Sequence, residues 1–243
     1  MGLRMMCVVA HPDDECFAFG GALALAASGG VEIYVLCLTD GQAASNRGDA
    51  ASEEELGRMR RAEFKASCAV LGVARCELLD YQDGKLEFAN FSEAAGKLVE
   101  RIREFKPNVV VTFGSDGGLN THPDHTMVSA FTSAAFHWAG SAKRYADAGP
   151  VYRAERLYVL STNFFMEGRP APMPIPWTTS IDIREVMSVK DEAFRQHQSQ
   201  APLMEQTKEM FREFGQSEYY TLAASHEPMP AEASDSLFTG LSD

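Results

Sequence analysis

Short apolar runs alternate with longer alanine-rich or amphipathic segments over the first two-thirds of the chain. An uninterrupted apolar run of a few residues predicts a buried strand, whereas apolar spacings of three and four residues predict a helix. Strands and helices that alternate in this way indicate parallel β-α-β units with right-handed crossovers. The pattern therefore predicts an α/β protein with a Rossmann-like three-layer fold, a mostly parallel sheet and a C-terminal extension.

The element boundaries follow from capping and breaking residues. Gly29-Gly30 and Gly72 are expected to end helices, and Ser52 before three glutamates is expected to begin one. The predicted strands are residues 5–9, 31–38, 75–79, 109–113, 157–160 and 178–183. The predicted helices are residues 17–28, 53–71, 91–105, 123–138, 183–198 and 204–214.

The length of 243 residues suits one domain over residues 1–243. We expect an α/β core over about 1–165 and a proline-rich connector with C-terminal helices over about 166–243. Residues 169–177 contain four prolines, which predicts an extended connector or lid.

Two polar clusters follow predicted strands. The segment AHPDDE at residues 10–15 comes directly after the first strand, and HPDH at residues 122–125 follows the strand at 109–113 through a glycine-rich loop. Parallel α/β sheets bind ligands at the carboxyl ends of their strands. The two clusters are therefore expected to meet at one edge of the sheet.

The clusters contain the donors of a hydrolytic metal site. A catalytic zinc site uses three protein ligands and leaves one position open. His11 and Asp14 can converge across a tight turn, and His125 falls in the first turn of the helix that Pro123 begins. We expect these three residues to bind Zn²⁺, although two histidines and a carboxylate also suit Fe²⁺ or Co²⁺.

The other polar residues of the clusters can supply acid and base catalysis. Asp13 is free to act as general base on metal-bound water. His122 can stabilise the oxyanion of a tetrahedral intermediate or protonate the leaving amine. Asp124 can hold the His122 ring in orientation.

Other reactive side chains have simpler interpretations. Cys16 is expected in the core, and Arg58, Arg60 and Arg61 are expected mostly on a solvated helix face paired with neighbouring glutamates. The remaining histidines are expected to be structural: His137, His197 and His226.

The composition and net charge limit the classes of partner that the protein is expected to bind. The net charge of -12 argues against non-specific nucleic-acid binding and against an anionic membrane surface. The N-terminal residues lack a signal-peptide pattern, and no apolar run approaches the length of a membrane span. Five cysteines without a CxxC spacing indicate reduced thiols and a cytoplasmic protein. The sequence leaves the oligomeric state open and allows a homo-oligomer.

The two clusters together resemble the PIG-L/LmbE family of zinc-dependent N-deacetylases, which includes enzymes that act on N-acetylglucosamine linked to inositol or malate. Weaker family features also match, among them Thr39-Asp40-Gly41, Arg60-x-x-Glu63 and the His-x-Ser-Gln segment at residues 197–200. The resemblance implies a Rossmann-like core with the site at the strand ends. It implies the metal ligands and the general base proposed above.

The resemblance also suggests contacts with the substrate. Arg60 and Asp83 match positions that contact the sugar in relatives, and Arg47 is a candidate for the polar or anionic aglycone. Asn120-Thr121 departs from relatives that place a Tyr or Arg nearby, so the substrate is left open.

The favoured function is hydrolysis of an N-acetyl group from an N-acetylglucosamine-type glycoside. An amidase of the same family that cleaves a larger amide is the near alternative. A nucleotide-binding Rossmann protein is disfavoured, because no GxGxxG follows the first strand and carboxylates there repel a pyrophosphate. A non-catalytic metal- or sugar-binding protein has no need of a general base.

Overall fold

The computed structural model describes residues 2–165, 171–228 and 232–241. Its strands are β1 (Arg4–Val9), β2 (Glu32–Thr39), β3 (Arg75–Tyr81), β4 (Val109–Thr112), β5 (Arg156–Ser161), β6 (Thr179–Asp182) and β7 (Ser217–Ser225). Its α-helices are α1 (Asp14–Phe17), α2 (Gly20–Ser28), α3 (Glu53–Val70), α4 (Phe91–Phe105), α5 (Pro123–Ala139), α6 (Met187–Arg195) and α7 (Ala201–Phe214). Short 3-10 turns lie at Leu86–Phe88, Gly118–Asn120, Arg184–Val186 and Gln198–Gln200.

The strands form one sheet in the order β3-β2-β1-β4-β5-β7-β6. The first five strands in this order run parallel, and β7 runs antiparallel to both β5 and β6. The chain leaves β1 toward β2 on one side and later returns to form β4 on the other. This reversal of strand order places a crevice between the carboxyl ends of β1 and β4, where α/β sheets bind ligands.

Side chains of β1 alternate between two buried layers. Met5, Cys7 and Val9 join one apolar cluster, and Met6 and Val8 join another on the opposite face. The first cluster is covered by α2, α3 and α6, and the second by α4 and α5. The three-layer α/β fold with a mostly parallel sheet is therefore confirmed.

The C-terminal part differs from the prediction. β7 was not predicted, and it inserts between β5 and β6, so the expected extension completes the sheet. The buried face of β7 includes Glu218 beside Tyr220, and a charge on that face hid the alternation of a strand. The helix predicted at 183–198 is shorter, because α6 ends at Arg195 before a 3-10 turn.

The proline-rich segment is only partly described. Arg169 and Pro170 lie outside the described residues, and residues 171–177 belong to neither a helix nor a strand. In the part of the chain that the structure describes, no helix has the length and apolar character needed to cross a membrane.

A buried carboxylate ties β7 to the helical layer. Glu218 accepts hydrogen bonds from the backbone N–H groups of Gly21 at 2.7 Å and Ala22 at 2.9 Å, in the first turn of α2. It also accepts from Lys190 Nζ at 2.6 Å and from the Tyr220 hydroxyl at 2.7 Å. Both charged side chains are buried, so each depends on the other for its compensation.

We expect Glu218→Ala to lower the free energy of unfolding by about 3–5 kcal/mol, because it leaves a buried ammonium without its carboxylate. Chemical denaturation of the variant beside the wild type measures the loss. Glu192→Ala, which removes an exposed carboxylate on α6, is the matched control and should cost less than about 1 kcal/mol. Equal stability of the two variants would contradict the role assigned to Glu218.

Candidate metal centre and catalytic groups

The end of β1 turns sharply at Asp13. This residue has φ 108° and ψ -26°, in the left-handed region, and α1 begins at the next residue. The reversal brings Asp14 back over the strand end, where its Oδ2 atom accepts from the backbone N–H groups of Ala10 at 3.1 Å and His11 at 2.8 Å. His11 and Asp14 therefore face the same point, as the sequence spacing predicted.

His125 reaches that point from the first turn of α5. Its Nδ1 atom lies 3.0 Å from the carbonyl oxygen of Gly117, which holds a proton on Nδ1 and leaves the Nε2 lone pair free. The Phe113 ring stacks on the imidazole with a centroid distance of 3.9 Å. Gly117 has φ 83°, and a Cβ there would lie 2.8 Å from the His122 carbonyl oxygen, so the loop requires glycine.

Three potential ligand atoms converge between these elements. His11 Nδ1 lies 3.3 Å from His125 Nε2 and 3.5 Å from Asp14 Oδ2, and His125 Nε2 lies 3.2 Å from Asp14 Oδ1. Ligands about 2.0–2.1 Å from a tetrahedral metal are roughly 3.3 Å from one another. The spacing and the two-nitrogen, one-carboxylate donor set therefore fit a metal of the zinc type.

The far side of His11 is held by two carboxylates. Its Nε2 atom lies 2.9 Å from Asp83 Oδ1 and 3.2 Å from Asp124 Oδ2, so Nε2 carries the proton and Nδ1 faces the metal centre. Asp124 also accepts from the backbone N–H groups of Gly84 at 2.7 Å and Leu86 at 3.1 Å. Burial opposes ionisation of both carboxyls, but the bonds with His11 outweigh it and lower the pKa of each.

These contacts differ from the role expected for Asp124, and the sugar contact expected for Asp83 stays a prediction. The carboxylate of Asp124 was expected on His122, and it lies instead on His11. Asp83 was expected on the sugar, and its described bonds go to His11 and to the backbone N–H of Ala43 at 3.1 Å. Both carboxylates hold the ring of His11 in orientation.

We expect Asp124→Asn to weaken metal affinity about 10–100-fold, the usual effect of removing a group that orients a ligand. Metal affinity is measured by competition with a chromogenic chelator. Asp80→Asn removes an exposed carboxylate near the end of β3 and should leave the metal affinity unchanged. Unchanged affinity in Asp124→Asn together with a lower kcat would favour the original assignment to His122.

Asp13 faces the cavity beside the ligands and is buried against Arg60. Its Oδ2 atom lies 3.0 Å from Arg60 Nη2. Burial raises the pKa of Asp13 to about 6, against the opposing charge of Arg60. A carboxylate with this pKa is ionised at neutral pH and accepts a proton readily.

Arg60 is a positioning group in this structure. It is 3% exposed, and its guanidinium donates to the carbonyl oxygens of Gly41 and Pro12 as well as to Asp13. The resemblance suggested a contact of Arg60 with the sugar, and that contact stays a prediction. Its described hydrogen bonds join the loop after β2 to the turn that carries Asp13.

His122 caps the N-terminus of α5. Its Nδ1 atom accepts from the backbone N–H of Asp124 at 3.1 Å, so the proton of the neutral ring sits on Nε2. Burial and the neighbouring His11 and His125 lower its pKa. The His11 and His122 ring centroids are 4.7 Å apart, which places this N–H donor beside the metal centre.

A buried ion pair that sequence reasoning missed supports the turn at Asp13. Glu15 accepts from the Asp13 backbone N–H at 2.9 Å and from the Ser67 hydroxyl at 2.6 Å, and its other contact is His197 Nε2 at 2.7 Å. The side chains of Glu15 and His197 are both 0% exposed. Burial disfavours both charges, but the attraction between them is stronger. It lowers the pKa of Glu15 and raises that of His197.

The neighbours of His197 fix it to α3. Ser199 bonds Glu63 through its backbone N–H at 2.8 Å and its hydroxyl at 2.6 Å. The His-x-Ser-Gln segment was noted in the sequence, but His197 was expected to be merely structural, since a partner 182 positions away leaves no local signal.

We expect His197→Ala to lower the free energy of unfolding by about 3 kcal/mol or more, because Glu15 would remain buried without a cation. Denaturant titration measures the change. His137→Ala, an exposed position on α5, is the control. If both variants lose less than about 1 kcal/mol, the pair does not support the turn.

A cavity of about 380 Å³ opens from the metal centre. The residues predicted for catalysis and metal binding line it, except Asp124, which lies behind His11. Arg47 is outside this lining, and its half-exposed side chain lies 3.6 Å from Glu53. The expected contact of Arg47 with the substrate stays a prediction.

Comparison with known proteins places this geometry in a family. A 1D-myo-inositol 2-acetamido-2-deoxy-alpha-D-glucopyranoside deacetylase from Rhodococcus erythropolis is 32% identical over 239 residues, covering 81% of this chain and 81% of the relative. A mycothiol S-conjugate amidase from Streptomyces coelicolor is 33% identical over 177 residues, covering 64% of this chain and 60% of the relative.

Solved structures share the fold. N,N'-diacetylchitobiose deacetylase from Pyrococcus horikoshii matches with a TM-score of 0.76 at 22% identity, over 94% of this chain and 84% of that chain. The model of the PIG-L family, described as GlcNAc-PI de-N-acetylase, matches residues 6–136, which include both polar clusters. The resemblance seen in the sequence is thereby confirmed, and the chain belongs to the PIG-L family.

Proposed function

We propose that this protein is a metal-dependent hydrolase that removes the N-acetyl group from an N-acetylglucosamine-type glycoside. The observation that carries the proposal is the convergence of His11 Nδ1, Asp14 and His125 Nε2 within 3.2–3.5 Å of one another, beside the cavity-facing Asp13. The family and the named activity of the Rhodococcus relative, an acetamido-sugar deacetylase, support the amide as the bond that is cleaved.

We propose Zn²⁺ as the metal, held by His11, Asp14 and His125. The donor set also suits Fe²⁺ or Co²⁺. When bound, such a cation supplies Lewis acidity to the amide carbonyl and makes water more acidic. The hydrogen bonds to the far nitrogens of both imidazoles support this assignment, because they leave one lone pair on each ring facing the centre.

Asp13 is proposed as the general base. Its pKa of about 6 keeps it ionised at neutral pH, and it can take the proton from the attacking water. Arg60 and the Glu15 carboxylate hold its side chain and its backbone N–H in place. The ion pair with Arg60 holds the Asp13 carboxylate in position, and the same guanidinium donates to two carbonyl oxygens that fix its own place.

His122 is proposed as the acid or oxyanion donor. Its neutral ring presents Nε2–H, because Nδ1 accepts a backbone hydrogen bond. A donor in this position can stabilise the tetrahedral oxyanion and then protonate the leaving nitrogen. Asp124 contributes through His11 in this proposal.

The whole of residues 1–243 is proposed to form one deacetylase domain. His197 and Glu218 support this, since each comes from the C-terminal part and bonds to the N-terminal layer that carries the site. The five cysteines are free, which supports a cytoplasmic location.

An amidase acting on a larger amide is the second candidate. The named activity of the Streptomyces relative favours it, as does a cavity that extends well beyond the metal centre. Both activities use the same site, so they are separated by the acyl group that is released.

We expect Asp13→Asn to retain about one metal per chain and to lose about 10²–10⁴-fold in kcat, since the base is lost while the ligands stay. Metal content and acetate release from methyl N-acetylglucosaminide measure the two effects. Asp80→Asn, which changes an exposed carboxylate, is the control and should match the wild type.

Two outcomes would count against the proposal. Wild-type protein that binds no metal would remove its basis. Metal-loaded protein that releases no acetate but cleaves a larger acyl conjugate would favour the amidase.

A further inference from the structure

The cavity has two chemically different parts. Around the metal centre its walls are imidazole and carboxylate groups. Six apolar or aromatic side chains line the rest of the cavity, and we call this group the apolar arm. These residues are Phe17, Phe164, Leu203, Phe211, Phe214 and Tyr219.

Helix α7 supplies half of the apolar arm. Leu203, Phe211 and Phe214 lie eight and then three positions apart, which places them on one face of the helix. The start of α7 is fixed by Gln200, whose side chain donates to the carbonyl oxygen of Asn46 at 3.1 Å. The same segment carries His197, so the arm is held by the network that supports the turn at Asp13.

The aromatic rings of the apolar arm pack against one another but leave part of their surface accessible. Phe17 packs edge-on against Phe211 with a centroid distance of 4.6 Å, and Phe164 stacks with Phe214 at 5.1 Å. Phe214 nevertheless stays 38% exposed. Trp177, which is 47% exposed, extends the apolar surface by packing on Tyr219 at 4.9 Å.

Three polar groups that border the apolar arm are already engaged. The Ser161 hydroxyl donates to the Ile175 carbonyl oxygen at 2.6 Å, and the Thr162 hydroxyl donates to that of Phe164 at 3.2 Å. Lys190, the cation in this wall, is paired with Glu218 at 2.6 Å. A polyol or an anion bound here would lose hydration without gaining matching partners.

We propose that the apolar arm binds a hydrophobic aglycone, so that the preferred substrates are N-acetylglucosaminides carrying an alkyl or aryl group. This inference rests on the proposed function. An acetyl group is too small to fill the arm, and the sugar hydroxyls match the polar part of the cavity. The aglycone is then the portion of the substrate that reaches α7.

The test compares methyl, butyl and hexyl N-acetylglucosaminides of both anomers, below their micellar concentrations, with kcat/KM for acetate release as the readout. We expect kcat/KM to rise at least about tenfold from methyl to hexyl, because each buried methylene favours binding several-fold. Phe214→Ser and Leu203→Ser should reduce the hexyl-to-methyl ratio. Phe88→Ser, at a position 73% exposed and outside the cavity lining, should leave that ratio unchanged.

Other results would overturn the assignment. Acetate release that does not depend on aglycone length would show that the arm binds nothing of the substrate. A rise that follows the acyl chain instead, tested with methyl N-hexanoylglucosaminide, would assign the arm to the acyl group.

A binding measurement separates failure of this inference from failure of the proposed function. Calorimetry with the products methyl and hexyl glucosaminide needs no turnover. Tighter binding of the hexyl compound, lost in Phe214→Ser, would support the arm even if no glycoside released acetate. Equal binding of the two products would overturn it.

Discussion

The left-handed turn at Asp13 places the carboxylates of Asp13 and Asp14 beside His11. A non-glycine residue with φ 108° costs of order 1–3 kcal/mol, so neighbouring contacts must hold it. Glu15 binds its backbone N–H, and Arg60 binds its carboxylate. Without this reversal Asp14 would continue away from β1, and the carboxylate could not meet His11 and His125. The positions of Asp13 and Asp14 therefore share one structural cause, whereas His125 is positioned by the start of α5 and its bond to Gly117.

Holding the turn creates a problem of buried charge. Glu15 lies in the core and is compensated by His197, which arrives from the C-terminal part of the chain. Glu218 is compensated in the same way by Lys190. Around His11, however, Asp14, Asp83 and Asp124 bring more negative charge than one imidazolium offsets. A divalent cation at the converging ligand atoms balances this excess, which is the electrostatic argument for a metal independent of the donor geometry.

The sequence predicted that His11, Asp14 and His125 converge because the signal of each is local. His11 and Asp14 lie in one turn after an apolar run, and Pro123 marks the helix that presents His125. The roles of Asp83 and Asp124 could not be predicted, since both depend on which imidazole nitrogen they meet across the sheet edge. The His-x-Ser-Gln segment was visible in the sequence, but the partner of His197, Glu15, could not be predicted for the same reason. β7 was missed because Glu218 occupies its buried face, and only the fold shows what neutralises that charge.

Different parts of the chain build the catalytic centre and the apolar arm. Membership of the family therefore indicates the reaction of this protein more closely than it indicates the substrate. The family match covers residues 6–136, which include His11, Asp13, Asp14, His122 and His125. Leu203, Phe211 and Phe214 lie on α7, outside that range. The catalytic centre is built at the switch point between β1 and β4, where the topology fixes it. Half of the apolar arm is built by α7, which is attached through side-chain bonds at its start. The side chains on its cavity face can therefore change without disturbing the turn at Asp13.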